Sequence, residues 1–96
     1  MTYEELIQSL KILSLPERVT LGEIKRRYRL LVKEAHPDAR KEAPPESFQM
    51  IHTAYRILME YAEAYKISFS EEEFYEQNPE ERLRKQFEDD PVWGGK

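Results

Sequence analysis

Residues 24–38 have the sequence IKRRYRLLVKEAHPD, and the fold of the chain is predicted from this stretch outward. Apolar residues recur every three or four positions, which places them on one face of a helix, whereas basic residues fall on another face. The apolar face contains Ile24, Tyr28, Leu31 and Ala35, and the basic face contains Lys25, Arg26, Arg29 and Lys33. The stretch therefore predicts an amphipathic helix with a strongly basic polar side.

A bend should follow this helix at His36-Pro37-Asp38. Pro37 disfavours the α conformation of the residue before it, so the helix should end at about Ala35. After a polar loop, Pro44-Pro45 can begin a new helix, because proline is favoured at the first helical position. Apolar residues then return at helical spacing, among them Phe48, Ile51, Tyr55 and Leu58. We expect this helix, over about 45–65, to run antiparallel to the basic one.

Two short patterns mark the starts of the N-terminal helices. Thr2 is followed by Glu5 at the spacing of a capping box, in which each side chain accepts a hydrogen bond from the other residue's backbone N–H. The same spacing recurs at Thr20 and Glu23, where the basic helix should begin. We expect the first helix to run from residue 2 or 3 to about Ser14.

The C-terminal third has the pattern of two short helices. Ser70 precedes Glu73 at capping spacing, and Asn78-Pro79 is a favourable helix start. These signals predict helices over about 71–77 and 79–88. Both offer apolar residues that could cover the third helix, which needs cover on two sides because it carries two apolar stripes. One stripe consists of Phe48, Ile51, Tyr55, Leu58, Ala62 and Tyr65, and the nearly opposite one consists of Met50, Ala54, Ile57 and Tyr61.

Together these elements predict an all-α fold. The second and third helices form an antiparallel hairpin, the first helix packs beside it, and the short C-terminal helices pack on the third helix. Residues 1–66 form the main domain, and residues 67–96 form a helical extension and tail. Near the end of that tail, Trp93 either docks back on the domain or anchors another protein, and the sequence leaves both interpretations open.

The composition limits the functions that the chain can have. At 96 residues it is one small domain with an appendage, too small for a deep catalytic cleft. It has no cysteine and two histidines, so we expect neither a disulfide nor a metal site, and no cofactor. No carboxylate pair, activated nucleophile or glycine-rich phosphate loop is apparent, so we do not expect an enzyme. No apolar run is long enough to span a bilayer and no signal-peptide pattern opens the chain, which predicts a cytoplasmic protein without membrane contact.

The charges are segregated along a chain of net charge −4. Basic residues concentrate in 25–33, and acidic residues concentrate in 71–90. A positive stripe on an acidic protein indicates an acidic protein surface as the partner rather than nucleic acid, which favours domains that are basic overall. A nucleic-acid-binding helical module is the rival interpretation, and it predicts a steep loss of binding with added salt.

Taken together, the basic helix, His36-Pro37-Asp38 and the apolar pattern of the third helix resemble the J-domain of the DnaJ co-chaperone family. The resemblance covers residues 3–62 or so, about two thirds of the chain. It implies that His36, Pro37 and Asp38 activate a DnaK-type chaperone, an ATPase, and that the basic helix docks on it. The residues expected to bind this partner are His36, Pro37, Asp38, Lys25, Arg26, Arg29 and Lys33.

The chain also departs from the family pattern. Leu30 and Glu34 interrupt the basic face where the family usually continues it, and the family's basic fourth helix is replaced by the acidic extension. No Gly/Phe-rich linker, zinc region or client-binding β domain is seen, so we expect the J-domain-only type, with the extension as a second surface for a client or adaptor protein. The alternative is a degenerate J-like adaptor that keeps the fold without stimulating ATP hydrolysis.

The second histidine, His52, has an ordinary interpretation. It borders the apolar stripe of the third helix, where a partly buried histidine is more common than a ligand or a base. The aromatic residues Tyr28, Phe48 and Tyr55 share the apolar stripes, so we assign them to packing; stacking on nucleic-acid bases would require them to be exposed among cations.

Overall fold

A computed structural model describes residues 1–35 and 45–89 of the chain. These residues form five α-helices and no strand, which confirms the predicted all-α class. The helices are α1 (Tyr3–Ile12), α2 (Leu21–Ala35), α3 (Pro45–Ala64), α4 (Glu71–Gln77) and α5 (Pro79–Asp89). Their bounds lie within one or two residues of those expected from the caps and the apolar spacing. By its internal contacts the chain divides into two compact units, Met1–Tyr65 and Lys66–Lys96.

Both predicted capping boxes form. At the start of α1, the Glu5 backbone N–H donates to Thr2 Oγ1 at 3.1 Å and the Thr2 N–H donates to Glu5 Oε2 at 3.4 Å. At the start of α2, the Glu23 N–H donates to Thr20 Oγ1 at 3.1 Å and the Thr20 N–H donates to Glu23 Oε1 at 3.1 Å. Each box satisfies backbone donors that the helix itself cannot, so it fixes the residue at which the helix begins.

A turn at Ser14 ends α1. Ser14 adopts a left-handed conformation, with φ of 54°, and two hydrogen bonds close the turn around it. The Leu15 N–H donates to the Leu10 carbonyl at 2.8 Å, and the Ser14 N–H donates to the Lys11 carbonyl at 3.0 Å. This is the pattern of a Schellman motif. It ends α1 at Ile12, two residues earlier than the sequence suggested.

The first unit has one small apolar core. Four buried residues form its cluster, Leu13, Ile24, Ala54 and Leu58, and Ile51 is buried on the same side of α3. Helices α1 and α2 both pack on α3. Leu13 is completely buried because the α1 cap turns it inward.

The core changes one interpretation of α3. The sequence placed Ala54 on a second apolar stripe, with Met50 and Tyr61, apart from Ile51 and Leu58. In the structure Ala54 is buried in the core, whereas Met50 and Tyr61 are exposed. Ala54 lies three residues after Ile51 and four before Leu58, so all three share one face of the helix.

The second unit is described over residues 66–89, and its helices α4 and α5 pack on each other. Ser70 caps α4, since its Oγ accepts a hydrogen bond from the Glu73 N–H at 3.1 Å, as predicted. Lys85 Nζ of α5 donates to Glu71 Oε1 of α4 at 2.9 Å and lies 5.3 Å from the centre of the Tyr75 ring. No residue of either helix is buried. The packing of these helices on the third helix, and the roles of 1–66 and 67–96 as separate functional regions, stay predictions.

Candidate functional site

The position of α2 is set by the apolar face that it turns toward α3. Ile24 is buried, and Tyr28 and Leu31 pack against the core cluster. Tyr28 also stacks on Tyr55 of α3, with ring centroids 3.9 Å apart and an interplanar angle of 11°. Stacked aromatic pairs prefer a restricted relative geometry, so this contact limits the rotation of α2 about its own axis.

A hydrogen bond adds to this restriction. Tyr28 Oη lies 3.1 Å from His52 Nδ1, across the contact between α2 and α3. His52 is exposed, so the expectation of partial burial is wrong, and its role is to engage Tyr28. Sequence spacing places His52 beside Tyr55 on α3, three residues before it, but it does not indicate the contact with Tyr28 across the two helices. Tyr28, His52 and Tyr55 together form an aromatic clasp that sets which side of α2 faces outward.

The predicted basic face is the outward side of α2. Lys25, Arg26, Arg29 and Lys33 are all exposed. Within residues 1–35 and 45–89, none of the salt bridges that the structure contains involves these four side chains. The structure thus brings together on one helix the four cations that the sequence assigned to partner binding.

The first turn of α2 carries a fixed negative charge beside this face. A hydrogen bond from the Thr20 hydroxyl, together with one from the Thr20 backbone N–H, lowers the pKa of Glu23, and the nearby positive charge of Arg26 lowers it further. Glu23 is therefore a capping carboxylate that stays ionised. Its position at the helix N-terminus is also favoured by the helix dipole.

The other three predicted site residues lie outside the described part of the chain. His36, Pro37 and Asp38 follow directly on the last residue of α2, Ala35, in the sequence. The described chain resumes at Pro45 with α3, and α2 and α3 pack on each other. Along the sequence, the His-Pro-Asp stretch begins three residues after Lys33, the last of the four cations.

The described residues contain neither a metal-binding cluster nor a helix suited to a membrane. No group of three or more histidine, aspartate or glutamate side chains in residues 1–35 and 45–89 could hold a metal ion. In the same residues, no helix combines the length and the apolar character needed to cross a membrane.

Comparison with known proteins assigns the family. A family model described as the DnaJ domain matches residues 9–66, more than half of the chain. The chain belongs to the DnaJ-domain family. The matched range contains the basic face of α2, the His-Pro-Asp stretch and all of α3.

Two curated relatives share this DnaJ domain. A protein named Chaperone protein DnaJ, from Caldicellulosiruptor saccharolyticus, is 49% identical over 51 residues, which are 50% of this chain and 13% of the relative. A protein named DnaJ homolog shv, from Drosophila melanogaster, is 42% identical over 50 residues, which are 50% of this chain and 14% of the relative. The chain therefore matches only a small part of each relative's length. No solved structure gave a significant match.

Proposed function

We propose that this protein is a co-chaperone that docks on a DnaK-type ATPase chaperone and stimulates its ATP hydrolysis. The basic face of α2 and His36-Pro37-Asp38 are the proposed docking surface. The observation that best supports this is the exposure of four cations, free of salt bridges within the described chain, on the helix that precedes His-Pro-Asp in a member of the DnaJ-domain family.

The cations would act mainly on recognition. Lys25, Arg29 and Lys33 are spaced four residues apart, so they form a row along a rigid helix. Such a row speeds the encounter with an acidic surface and sets the orientation of docking more than it raises affinity. Screening limits its reach to about 8 Å at physiological salt, so the acidic surface must come close to the helix.

The His-Pro-Asp stretch would carry the effect on the partner. Asp38 offers a carboxylate that can pair with an arginine, and Pro37 restricts the backbone beside it, so less conformational entropy is lost on binding. Stimulation then requires that the docked protein binds one conformation of the chaperone better than another. In this proposal the partner performs the hydrolysis, and this chain contributes only binding.

A second candidate function is supported by a specific feature of the same helix. Leu30 and Glu34 are exposed within the charged surface of α2, where the family usually has cations. A J-like adaptor that docks without stimulating hydrolysis would fit this change. Under that alternative, replacing Leu30 by lysine should raise stimulation of the chaperone.

The decisive experiment is single-turnover ATP hydrolysis by the DnaK-type chaperone of the same organism. Adding the protein should accelerate hydrolysis. Asp38→Asn should abolish the acceleration. Asp89→Asn, at the end of α5 and beyond the family match, is the matched control and should behave like the parent protein. The proposal is wrong if the parent protein leaves the rate unchanged or if Asp38→Asn stimulates equally well.

A further inference from the structure

Leu30 occupies an unusual place on α2. Its side chain is 53% exposed. Residues three and four positions away on a helix are its surface neighbours, and here all four of them are charged and exposed. These neighbours are Arg26, Arg27, Lys33 and Glu34. Leu30 is therefore an exposed apolar side chain at the centre of a charged patch, and the term Leu30 patch is used below for these five residues.

Leu30 does not contribute to the core of the domain. Helix α2 packs on α3 through Ile24, Tyr28 and Leu31, and Leu30 is absent from that cluster. The adjacent Leu31 shows the contrast, because one step along a helix turns a side chain by about 100° and takes it from the packed face to the outer one. The fold therefore does not require an apolar residue at position 30.

Single exposed leucines are common on protein surfaces, so exposure by itself says little. The surroundings of Leu30 are more informative. Arg26, Arg27 and Lys33 take part in none of the salt bridges present in the described residues, so three charges remain available to a partner around one apolar group. A surface that complements the patch needs carboxylates opposite these three cations, a positive or neutral polar group opposite Glu34, and an apolar centre opposite Leu30.

We infer that Leu30 is a contact residue that selects the chaperone partner. This inference rests on the proposed function. The partner that fits is a DnaK-type chaperone whose acidic docking surface has an apolar recess opposite Leu30. The recess would bury the leucine and remove apolar area from water, while the surrounding carboxylates pair with the three cations.

One kind of partner surface would fit the Leu30 patch poorly. An uninterrupted acidic surface would press a carboxylate against Leu30, where that carboxylate loses water without gaining a partner. Such a chaperone would prefer a cation at position 30. Leu30 therefore discriminates by penalising one surface as well as by favouring another, which is how specific interfaces commonly separate related partners.

The test measures the Kd of the full chain for the DnaK-type chaperone of the same organism, in its ATP-bound state. Leu30→Ala should weaken binding on the order of tenfold, as expected for an apolar contact at the centre of an interface. Leu30→Lys should weaken it at least as much. Leu21→Ala is the matched control, since Leu21 is another exposed leucine of α2 but lies in its first turn, and its Kd should stay within about twofold.

Salt separates an apolar contact from an ionic one. The loss caused by Leu30→Ala should persist at high salt, whereas the loss caused by Arg29→Ala should shrink as the charges are screened. Unchanged far-ultraviolet circular dichroism of Leu30→Ala is expected, since alanine favours helix and Leu30 is not packed.

Two results would overturn the inference while leaving the proposed function in place. One is a Leu30→Ala protein that binds like the parent, and the other is a Leu30→Lys protein that binds more tightly. The proposed function stays in place if Asp38→Asn still abolishes stimulation. If instead the parent protein neither binds nor stimulates the chaperone, the proposed function itself fails, and the inference about Leu30 fails with it.

Discussion

The two units of this chain reach a helical structure by different means. Helices α2 and α3 bury apolar side chains, including Ile24 and Leu58, and their contact is reinforced by the stacked pair Tyr28 and Tyr55. Helices α4 and α5 have 7 and 11 residues and bury none of them. Helices shorter than about 12–15 residues are marginal in water without tertiary packing. The comparison shows that the basic face of α2 belongs to the unit with the buried core.

The two units also differ in whether their basic side chains form salt bridges. The cations of α2 take no part in the salt bridges of the described chain, whereas the cations of α5 do. Lys85 pairs with Glu71 at 2.9 Å, and Arg82 pairs with Glu76 at 3.6 Å. Within the described residues, the cations of α2 are therefore without salt bridges, whereas two cations of α5 pair with carboxylates of α4.

The largest difference between the units should appear when one buried leucine and one exposed leucine are removed. Leu58→Ala empties a position that is 4% exposed and should cost about 2–5 kcal/mol of unfolding free energy, through lost burial and a remaining cavity. Leu83→Ala, in α5, changes a side chain that is 54% exposed and should cost about 0.5 kcal/mol or less. Urea denaturation followed by circular dichroism measures both. Equal losses would contradict the proposed contrast between the units.

A smaller difference should appear when the caps are removed. Thr20→Ala removes the side chain that begins α2 and should cost about 1 kcal/mol of unfolding free energy. Ser70→Ala removes the corresponding cap of α4, so we expect faster amide hydrogen exchange within α4 and little change in the unfolding of the first unit. Faster exchange in α2 after Ser70→Ala would show that the two caps are not independent.

The stability contributed by the Thr20–Glu23 cap should depend on pH through Glu23. Its pKa is lowered in the folded protein by hydrogen bonds from Thr20, so the folded state favours the ionised carboxylate. The resulting stabilisation is present above the ordinary pKa of glutamate and is lost as the pH falls through the lowered folded value. Thr20→Ala should remove this part of the acid sensitivity. Unfolding midpoints of the two proteins between pH 7 and pH 2 provide the measurement.

Most of the fold could be predicted from the sequence because local chemistry sets the helix ends. The capping pairs at Thr2 and Thr20, and the prolines at 45 and 79, fixed four helix starts. The end of α1 could not be predicted in the same way. It depends on a left-handed serine, and residues other than glycine adopt that conformation only where the surrounding structure supports it.

The candidate site was partly predictable for a similar reason. Helical periodicity alone grouped Lys25, Arg26, Arg29 and Lys33, because their relative positions depend only on one helix. The clasp of Tyr28 with His52 and Tyr55 depends on how two helices pack, and sequence spacing does not determine which side chains meet across that contact. The outward position of Leu30 followed from the same periodicity as the cations, because the sequence already placed it within the basic face.

The smallest effect concerns the ion pair of the second unit. The hydrogen bond and the charge of Glu71 raise the pKa of Lys85, so the folded state favours the protonated amine. The stabilisation is fully present below the ordinary pKa of lysine and is lost as the pH rises through the higher folded value. Both side chains are largely exposed, and exposed pairs contribute little and are screened by salt.

Lys85→Met should therefore accelerate hydrogen exchange slightly in α4 and α5 at low salt, and 1 M salt should remove the difference. Arg84→Met, which removes a pairing within α5 rather than one between the helices, is the control and should leave exchange in α4 unchanged. If Lys85→Met alters exchange in α2 or α3 as strongly as in α4, the pair is not a local device of the second unit, and the contrast between the units has to be redrawn.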